Sequence, residues 1–219
     1  MNGLIEQWID WLPSLVDGLG VSVQLAVVSL LIGLPLGLAE ALLVASPNRI
    51  VRWITLAVVE FGRGTPTLVL LYLIYYGLPS QGLVLPAFGS AVVALSFMTG
   101  AYTSEIIRAS LQAVPRGLVE AAAALGINRW GTFRFILFPE GIRIAIPALM
   151  GFAIQLFQTT SLVFLITLPE LLSRAYSIGS TTFQYTSVLA LAGVLYLLVT
   201  LPSGWLAALL EKRMGRHLA

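Results

Sequence analysis

The chain alternates between long apolar stretches and short polar joints, and the apolar stretches have membrane-crossing length. A helix needs roughly 20 mainly apolar residues, at about 1.5 Å rise each, to cross a bilayer. Five runs qualify. They lie at about Leu15–Val44 (interrupted by Gly33, Pro35 and Gly37), Ile54–Leu78 (with Pro66 inside), Pro86–Leu111, Arg143–Leu168 and Thr186–Leu210. The pattern predicts an all-α membrane protein with five transmembrane helices in a single domain over residues 1–219. No internal repeat and no low-complexity tail is apparent. Ahead of the first run, Glu6, Asp10 and Asp17 accompany Trp8 and Trp11, a combination suited to a short amphipathic lead-in at the outer interface. No Lys or Arg precedes Arg49, so this segment does not read as a cleaved signal.

Charge orients the runs. Arg49 and Arg52 lie between the first two, and Arg108, Arg116, Arg129, Arg134 and Arg143 lie at or between the ends of the third and fourth. Lys212, Arg213 and Arg216 follow the fifth. The alternate joints, about 79–85 and 169–185, hold only Arg174. Because cytoplasmic loops are enriched in Lys and Arg, the N-terminus is placed outside and the C-terminus in the cytoplasm.

Composition then narrows the function. Charged residues make up 10% of the chain, against about 25% in soluble domains, and mean hydropathy is +0.93. There is no cysteine, which removes disulfides, thiolate metal sites and cysteine nucleophiles. The single histidine, His217, builds no metal cluster alone, and the dyads of an intramembrane hydrolase are missing. The only lysine, Lys212, follows Glu211, so no GxxxxGK[ST] phosphate loop exists and any nucleotide energy must come from another chain. The basic residues sit at the joints, a distribution that does not suggest nucleic acid. Five helices enclose a solute pathway poorly, so a second chain, identical or related, is expected beside this one.

The joint over about 112–142 departs from membrane character. VEAAAALG is strong helix-forming sequence ended by Gly126, and a second short helix is predicted through Trp130–Leu137, ending before Pro139. Two short helices with small alanine faces suit docking to another protein. On the residues alone, a loop lying on lipid headgroups fits as well.

The order of residues here resembles the cytoplasmic loop of ABC importer permeases. Glu120-Ala121-Ala122 is followed after three residues by Gly126, and after nine more by Ile136-Leu137-Phe138-Pro139, with Phe138 in place of a leucine. AYTSEIIRASLQAVPRGLVEAA (101–122), RGTPTLVLLYLIYYGLP (63–79) and TSL (160–162) resemble, in order, segments of the polar amino-acid branch of that family. The matches span about two thirds of the chain. Leu118 and Gln158 depart from the glutamine and the lysine often found there.

The resemblance implies a cytoplasmic coupling helix between helices 3 and 4, inserted into a separate ABC ATPase dimer that carries ATP and magnesium. This chain itself would bind no cofactor and would not be an enzyme. Glu120 would act as a charged contact or helix-start residue, Ala121 and Ala122 would permit close packing, Gly126 would supply the turn, and Ile136 and Pro139 would close the motif. An extracytoplasmic solute-binding protein, an amino-acid substrate and location in the bacterial inner membrane complete the expectation. The rival is a secondary carrier or channel needing no ATPase; such proteins often show paired repeats or interrupted helices in both halves, which this sequence does not show.

Within the membrane, Gln155, Gln158, Thr159, Thr160 and Ser161 gather neutral hydrogen-bonding groups that either glue helices together or line a substrate pathway. That line holds no carboxylate for a cationic side chain, which disfavours arginine, lysine or ornithine unless a partner supplies the acid. Glu105 and Arg108, three apart, are expected to pair. Arg63, with Thr65 and Pro66 after it, marks a break or bend that frees backbone carbonyls, with Glu60 a possible partner; these residues take a structural or gating role. Tyr72, Tyr75 and Tyr76 form an aromatic belt.

Overall fold

A computed structural model describes residues 2–215; Arg216 and His217 lie outside them. Among the described residues there are nine α-helices: α1 (Asn2–Val44), α2 (Arg49–Gly64), α3 (Thr67–Tyr72), α4 (Ala87–Gln112), α5 (Arg116–Ala124), α6 (Arg129–Thr132), α7 (Phe138–Thr159), α8 (Leu171–Thr182) and α9 (Tyr185–Gly215). A π turn (Leu73–Gly77) and a 3₁₀ turn (Leu78–Gln81) prolong α3, a π turn (Phe133–Leu137) joins α6 to α7, and a 3₁₀ turn (Thr160–Ile166) prolongs α7.

Four continuous runs are long and apolar enough to cross a membrane: Ile5–Val44, Ala87–Gln112, Arg129–Ile166 and Tyr185–Arg213. A fifth exists if Arg49–Gly64 and Thr67–Gln81 are taken together, and these are bent by 103°. So the run expected from Ile54 starts earlier, at Arg49, and the break expected at Thr65 and Pro66 is an elbow. Thr65, preceding a proline, takes the extended conformation (φ −87°, ψ 129°) that the pyrrolidine ring of Pro66 favours, and the helix ends there. The carbonyl oxygen of Arg63, released by the break, accepts from Tyr102 OH at 3.3 Å.

Two further expectations are corrected. The lead-in before Leu15 is not a separate element, because α1 runs unbroken from Asn2 to Val44 through Pro13 and Pro35. Gly33, Pro35 and Gly37 do not interrupt it. The glycines instead let α1 lie against α4. A Cβ on Gly33 would overlap Thr99 and stand 2.9 Å from the Ser96 carbonyl oxygen; one on Gly37 would overlap Thr103 and stand 2.8 Å from the Gly100 carbonyl oxygen. Small residues allow this approach, and in lipid close packing is what holds helices together. The hydroxyls in the seam are largely satisfied within α4: Thr99 donates to the Leu95 carbonyl at 2.7 Å and Thr103 to the Thr99 carbonyl at 2.7 Å.

Residue numbers rise together where α1 meets α4, and Trp8 Nε1 donates to Ser187 Oγ at 2.9 Å where α1 meets α9. The segment after Pro66 and α7 run the opposite way: Thr67 meets Met98, and Tyr102 stacks on Phe152 while Gly141 abuts Leu111. The apolar interior forms two clusters. One gathers Leu25, Leu71, Leu95, Leu156 and Ile166 around α4. The other gathers Leu15, Leu171, Val188 and Leu195 between the first half of α1, α8 and α9.

The seam makes a direct prediction. Gly37→Leu lowers thermal stability in detergent, at a cost of about 1–3 kcal/mol from overpacking. Gly20→Ala, where an added Cβ meets nothing within 4 Å, does not. Equal melting of both variants would refute the close α1–α4 approach.

Candidate functional site

The joint over 112–142 is built from α5, a tight turn and α6. Helix α5 starts after Pro115, whose fixed φ suits a helix entry. It ends in a closure that takes up its last carbonyls: Ile127 N–H donates to Ala122 and Gly126 N–H to Ala123, each at 3.0 Å. That geometry needs a left-handed residue, and Gly126 has φ +73°. Asn128 then caps α6, its side chain accepting from Gly131 N–H at 2.8 Å.

The expected second helix, Trp130–Leu137, begins at Arg129 and does not stop before Pro139. The chain continues through the π turn into α7, where Phe138 N–H bonds back to Phe133. A turn of five-residue reach leaves room for the ring of Pro139, which follows it at the start of α7. Glu120 is also displaced from a helix-start role: it is exposed in the middle of α5, which opens at Arg116. The two alanines divide, Ala122 being 1% exposed and packed inward while Ala121 faces outward. Ile136 is half-buried. Large apolar side chains stand out around the turn, with Leu125 79% and Phe135 72% exposed and Trp130, Leu118 and Ile127 also outward.

At the elbow, four charges form one net. Arg108 Nη2 meets Glu105 Oε2 at 2.6 Å and Arg108 Nε meets Oε1 at 2.9 Å, the expected pair. Arg63 reaches Glu60 at 3.5 Å, and also Glu105 at 3.7 Å, a link between α2 and α4 that sequence spacing does not show. Glu105 thus serves two arginines, beside the break at Thr65 and Pro66.

The polar line on α7 is only partly one surface. Gln155, Gln158 and Thr159 share an outward face, the glutamines exposed and Thr159 half-buried. Thr160 is fully buried and its hydroxyl donates to the Phe157 carbonyl at 2.6 Å, so it does not join that face. Ser161 is half-buried and donates to the Gln158 carbonyl at 2.8 Å. Among the tyrosines, Tyr76 packs edge-on against both Tyr72 and Tyr75 (centroids 5.4 and 4.8 Å), and Tyr75 OH bonds Thr167 Oγ1 at 3.2 Å.

Two acids escaped sequence reading. Glu40 lies one turn beyond Gly37, 5% exposed, and its Oε2 has no hydrogen-bond partner. Glu170 is fully buried at the start of α8. Its carboxylate accepts from Ser173 N–H (2.7 Å), Leu172 N–H (2.9 Å), Ser22 Oγ (3.2 Å) and Tyr196 OH (3.2 Å). Burial pushes this carboxyl above the usual range, against the pull of those four donors. An acid just before an apolar run was a legible helix-start signal; its burial was not. Its lone pairs are taken, so it gives the polar line no free acid.

Residues 21–216 match the family described as binding-protein-dependent transport system inner membrane component. The chain belongs to that family. Relatives among these inner-membrane components include the probable amino-acid ABC transporter permease protein YckA of Bacillus subtilis strain 168 (33% identity, 95% of this chain and 92% of that one). The arginine transport system permease protein ArtQ of the same strain is 34% identical over 98% of each chain. The nopaline transport system permease protein NocM of Agrobacterium fabrum strain C58 is 37% identical over 98% of this chain and 93% of that one. Among solved structures, an amino acid ABC transporter crystallised with histidines superposes with a TM-score of 0.90 at 34% identity, covering 94% of this chain and 96% of that one. The family places the chain in the bacterial inner membrane as a multi-pass permease component.

The net at the elbow is testable by a double-mutant cycle. Glu105→Ala costs about 0.5–1 kcal/mol of stability for these part-exposed charges, and adding Arg63→Ala costs less than the sum of the single changes. Strict additivity in detergent melting would show that Arg63 and Glu105 do not interact.

Proposed function

We propose that this chain is the permease subunit of an ATP-driven importer of polar amino acids, working by alternating access. It takes its energy from a separate cytoplasmic ABC ATPase dimer, which carries the ATP and magnesium, and the chain itself catalyses no reaction and binds no cofactor. A second permease, identical or homologous, completes the pathway, and an external solute-binding protein delivers the substrate. The relatives support the amino-acid class, since those compared carry permease names for arginine, nopaline or amino acids in general.

The observation that carries the reading is the surface around Gly126. The chain presents Leu125, Trp130 and Phe135 outward beside Arg116, Arg129 and Arg134, Leu125 on the turn after α5 and the two aromatic residues at the start of the Arg129–Ile166 run. Exposed apolar groups rimmed by charge are what a docking surface needs. In this reading the loop 112–142 is a cytoplasmic coupling element; Glu120 and Ala121 face the ATPase, Ala122 and Ile136 hold the element together, and Gly126 and Pro139 shape its two ends. Five alternating crossings place the N-terminus outside and the C-terminus inside. The antiparallel run of the segment after Pro66 and of α7 against α1, α4 and α9 supports that count, within one domain. Gln155, Gln158 and Thr159 form the outward polar face assigned to the substrate pathway, with Ser161 at its edge and Thr160 behind it. The elbow net of Arg63, Glu105 and Arg108, with Thr65 and Pro66, serves as a structural or gating joint.

Purifying the tagged chain from its membrane in mild detergent, with the stoichiometry of co-purifying chains, tests the assembly. Two ATPase copies with two permease chains is the expected result. Repeated recovery without an ATPase, under conditions that hold a known importer together, would turn the reading to a secondary carrier. Glu120→Arg and Gly126→Val are expected to weaken ATPase attachment about tenfold or more, the cost of a few kcal/mol for a like-charge contact or a misplaced turn, with membrane insertion intact. Unchanged attachment in both variants would remove the coupling assignment.

A further inference from the structure

The chain passes from one apolar cluster to the other at the start of α8. Leu168 belongs to the cluster around α4 and Leu171 to the cluster between α1, α8 and α9, with Glu170 between them. On α1 the same boundary falls at Ser22, between Leu19 and Leu25. The Ser22 hydroxyl donates to Glu170 and also accepts from Leu171 N–H at 3.3 Å. From α9, Tyr196 OH reaches the same carboxylate, while its ring packs on Phe157 of α7 with centroids 5.5 Å apart. Phe157 directly precedes Gln158 of the polar line. Backbone packing fixes the arrangement as well: a Cβ on Gly18 would stand 2.9 Å from the Glu170 carbonyl and 2.8 Å from Arg174 Cγ, so the first turn of α8 rests directly on α1.

A buried carboxylate is costly unless hydrogen-bonded. Here its donors come from three different helices, α1, α8 and α9. A network of that kind has few acceptable geometries, and so it makes the helices it joins move as a unit or not at all. Apolar packing alone is non-directional and leaves helices freer to slide. We infer that Glu170 is a positioning residue that makes α8 and α9 move together with α1, so that displacement of α8 reaches the polar face of α7 through Tyr196 and Phe157. Glu170 does not touch substrate. The inference rests on the importer reading and adds to it the route by which the α8 end of the molecule is linked to the pathway.

The test uses the intact complex with its ATPase in lipid nanodiscs, as wild type, Glu170→Gln and Tyr196→Phe. ATP hydrolysis is measured alone, and then with the binding protein plus a mixture of L-arginine, L-cystine, L-glutamate and L-histidine. An amide at position 170 presents a donor to groups that are themselves donors; Tyr196→Phe removes one donor and keeps the ring on Phe157, so it tests the same link with less risk to folding. The expected result is assembly and basal hydrolysis as in wild type in both variants, with the stimulated-to-basal ratio reduced about fivefold or more. Stimulation equal to wild type in both variants would overturn the inference. Parallel loss of basal and stimulated hydrolysis would also overturn it, because a merely structural role predicts that outcome. If the wild-type complex assembles and shows no stimulation, the importer reading falls and the inference falls with it.

Discussion

The approach of α1 to α4 is the constraint on which the remaining architecture depends. Lipid tails are as apolar as leucine, so helices in a bilayer gain little from hiding apolar surface from one another and must gain from contact itself. Gly33 and Gly37 bring the α1 backbone against Ser96, Thr99, Gly100 and Thr103, closer than any side chain at those two positions would allow. The threonine hydroxyls turn back onto their own helix, so the seam is polar in composition and still packs closely. With that pair fixed, the outward edges of α4 receive α2 and α7, and the first half of α1 is left free to meet α8 and α9.

Acids are kept in this molecule by two different means. Glu105 is part-exposed and shared between Arg63 and Arg108, so its charge is balanced by charge. Glu170 is fully buried and has no ion-pair partner among the described residues; it is balanced by two backbone N–H groups at a helix start and two hydroxyls. The first arrangement tolerates movement, since a partner 3.7 Å away in a part-exposed net can be replaced by water. The second does not, since each lost donor leaves a lone pair in a dry interior. The elbow and the junction therefore differ in stiffness for reasons visible in their chemistry.

Much of this was legible in the sequence. Run length gave the long apolar helices, three-residue spacing gave the Glu105–Arg108 pair, and a glycine after an alanine-rich helix gave the turn at Gly126. Prolines were harder to read. Pro13, Pro35 and Pro139 all lie within continuous helix, whereas Pro66 ends one, and the difference lies in what surrounds each ring: a widened turn precedes Pro139, while an extended Thr65 precedes Pro66. Which side of a helix faces in was also beyond reach for neighbours such as Ala121 and Ala122, or Thr159 and Thr160, because adjacent residues carry no sign of the helix that will cover one of them. Glu170 shows the same limit: a single acid in a polar joint reads as solvated until Ser22 and Tyr196, 148 positions before and 26 after it, arrive beside it.

The elbow at Pro66 has a consequence for the surrounding lipid. Helix α2 shows Trp53, Ile54 and Phe61 outward with Arg49, Arg52 and Glu60 among them, the make-up of a helix that lies along an interface. Without α2, the arm Thr67–Gln81 is about 22 Å long even at full helical rise, against a hydrocarbon core of about 30 Å. A crossing made by that arm alone would thin the bilayer beside it or draw in the flanking Leu83 and Val84. Such a crossing would make the bend between α2 and α3 the first place where a thicker bilayer pulls on the fold.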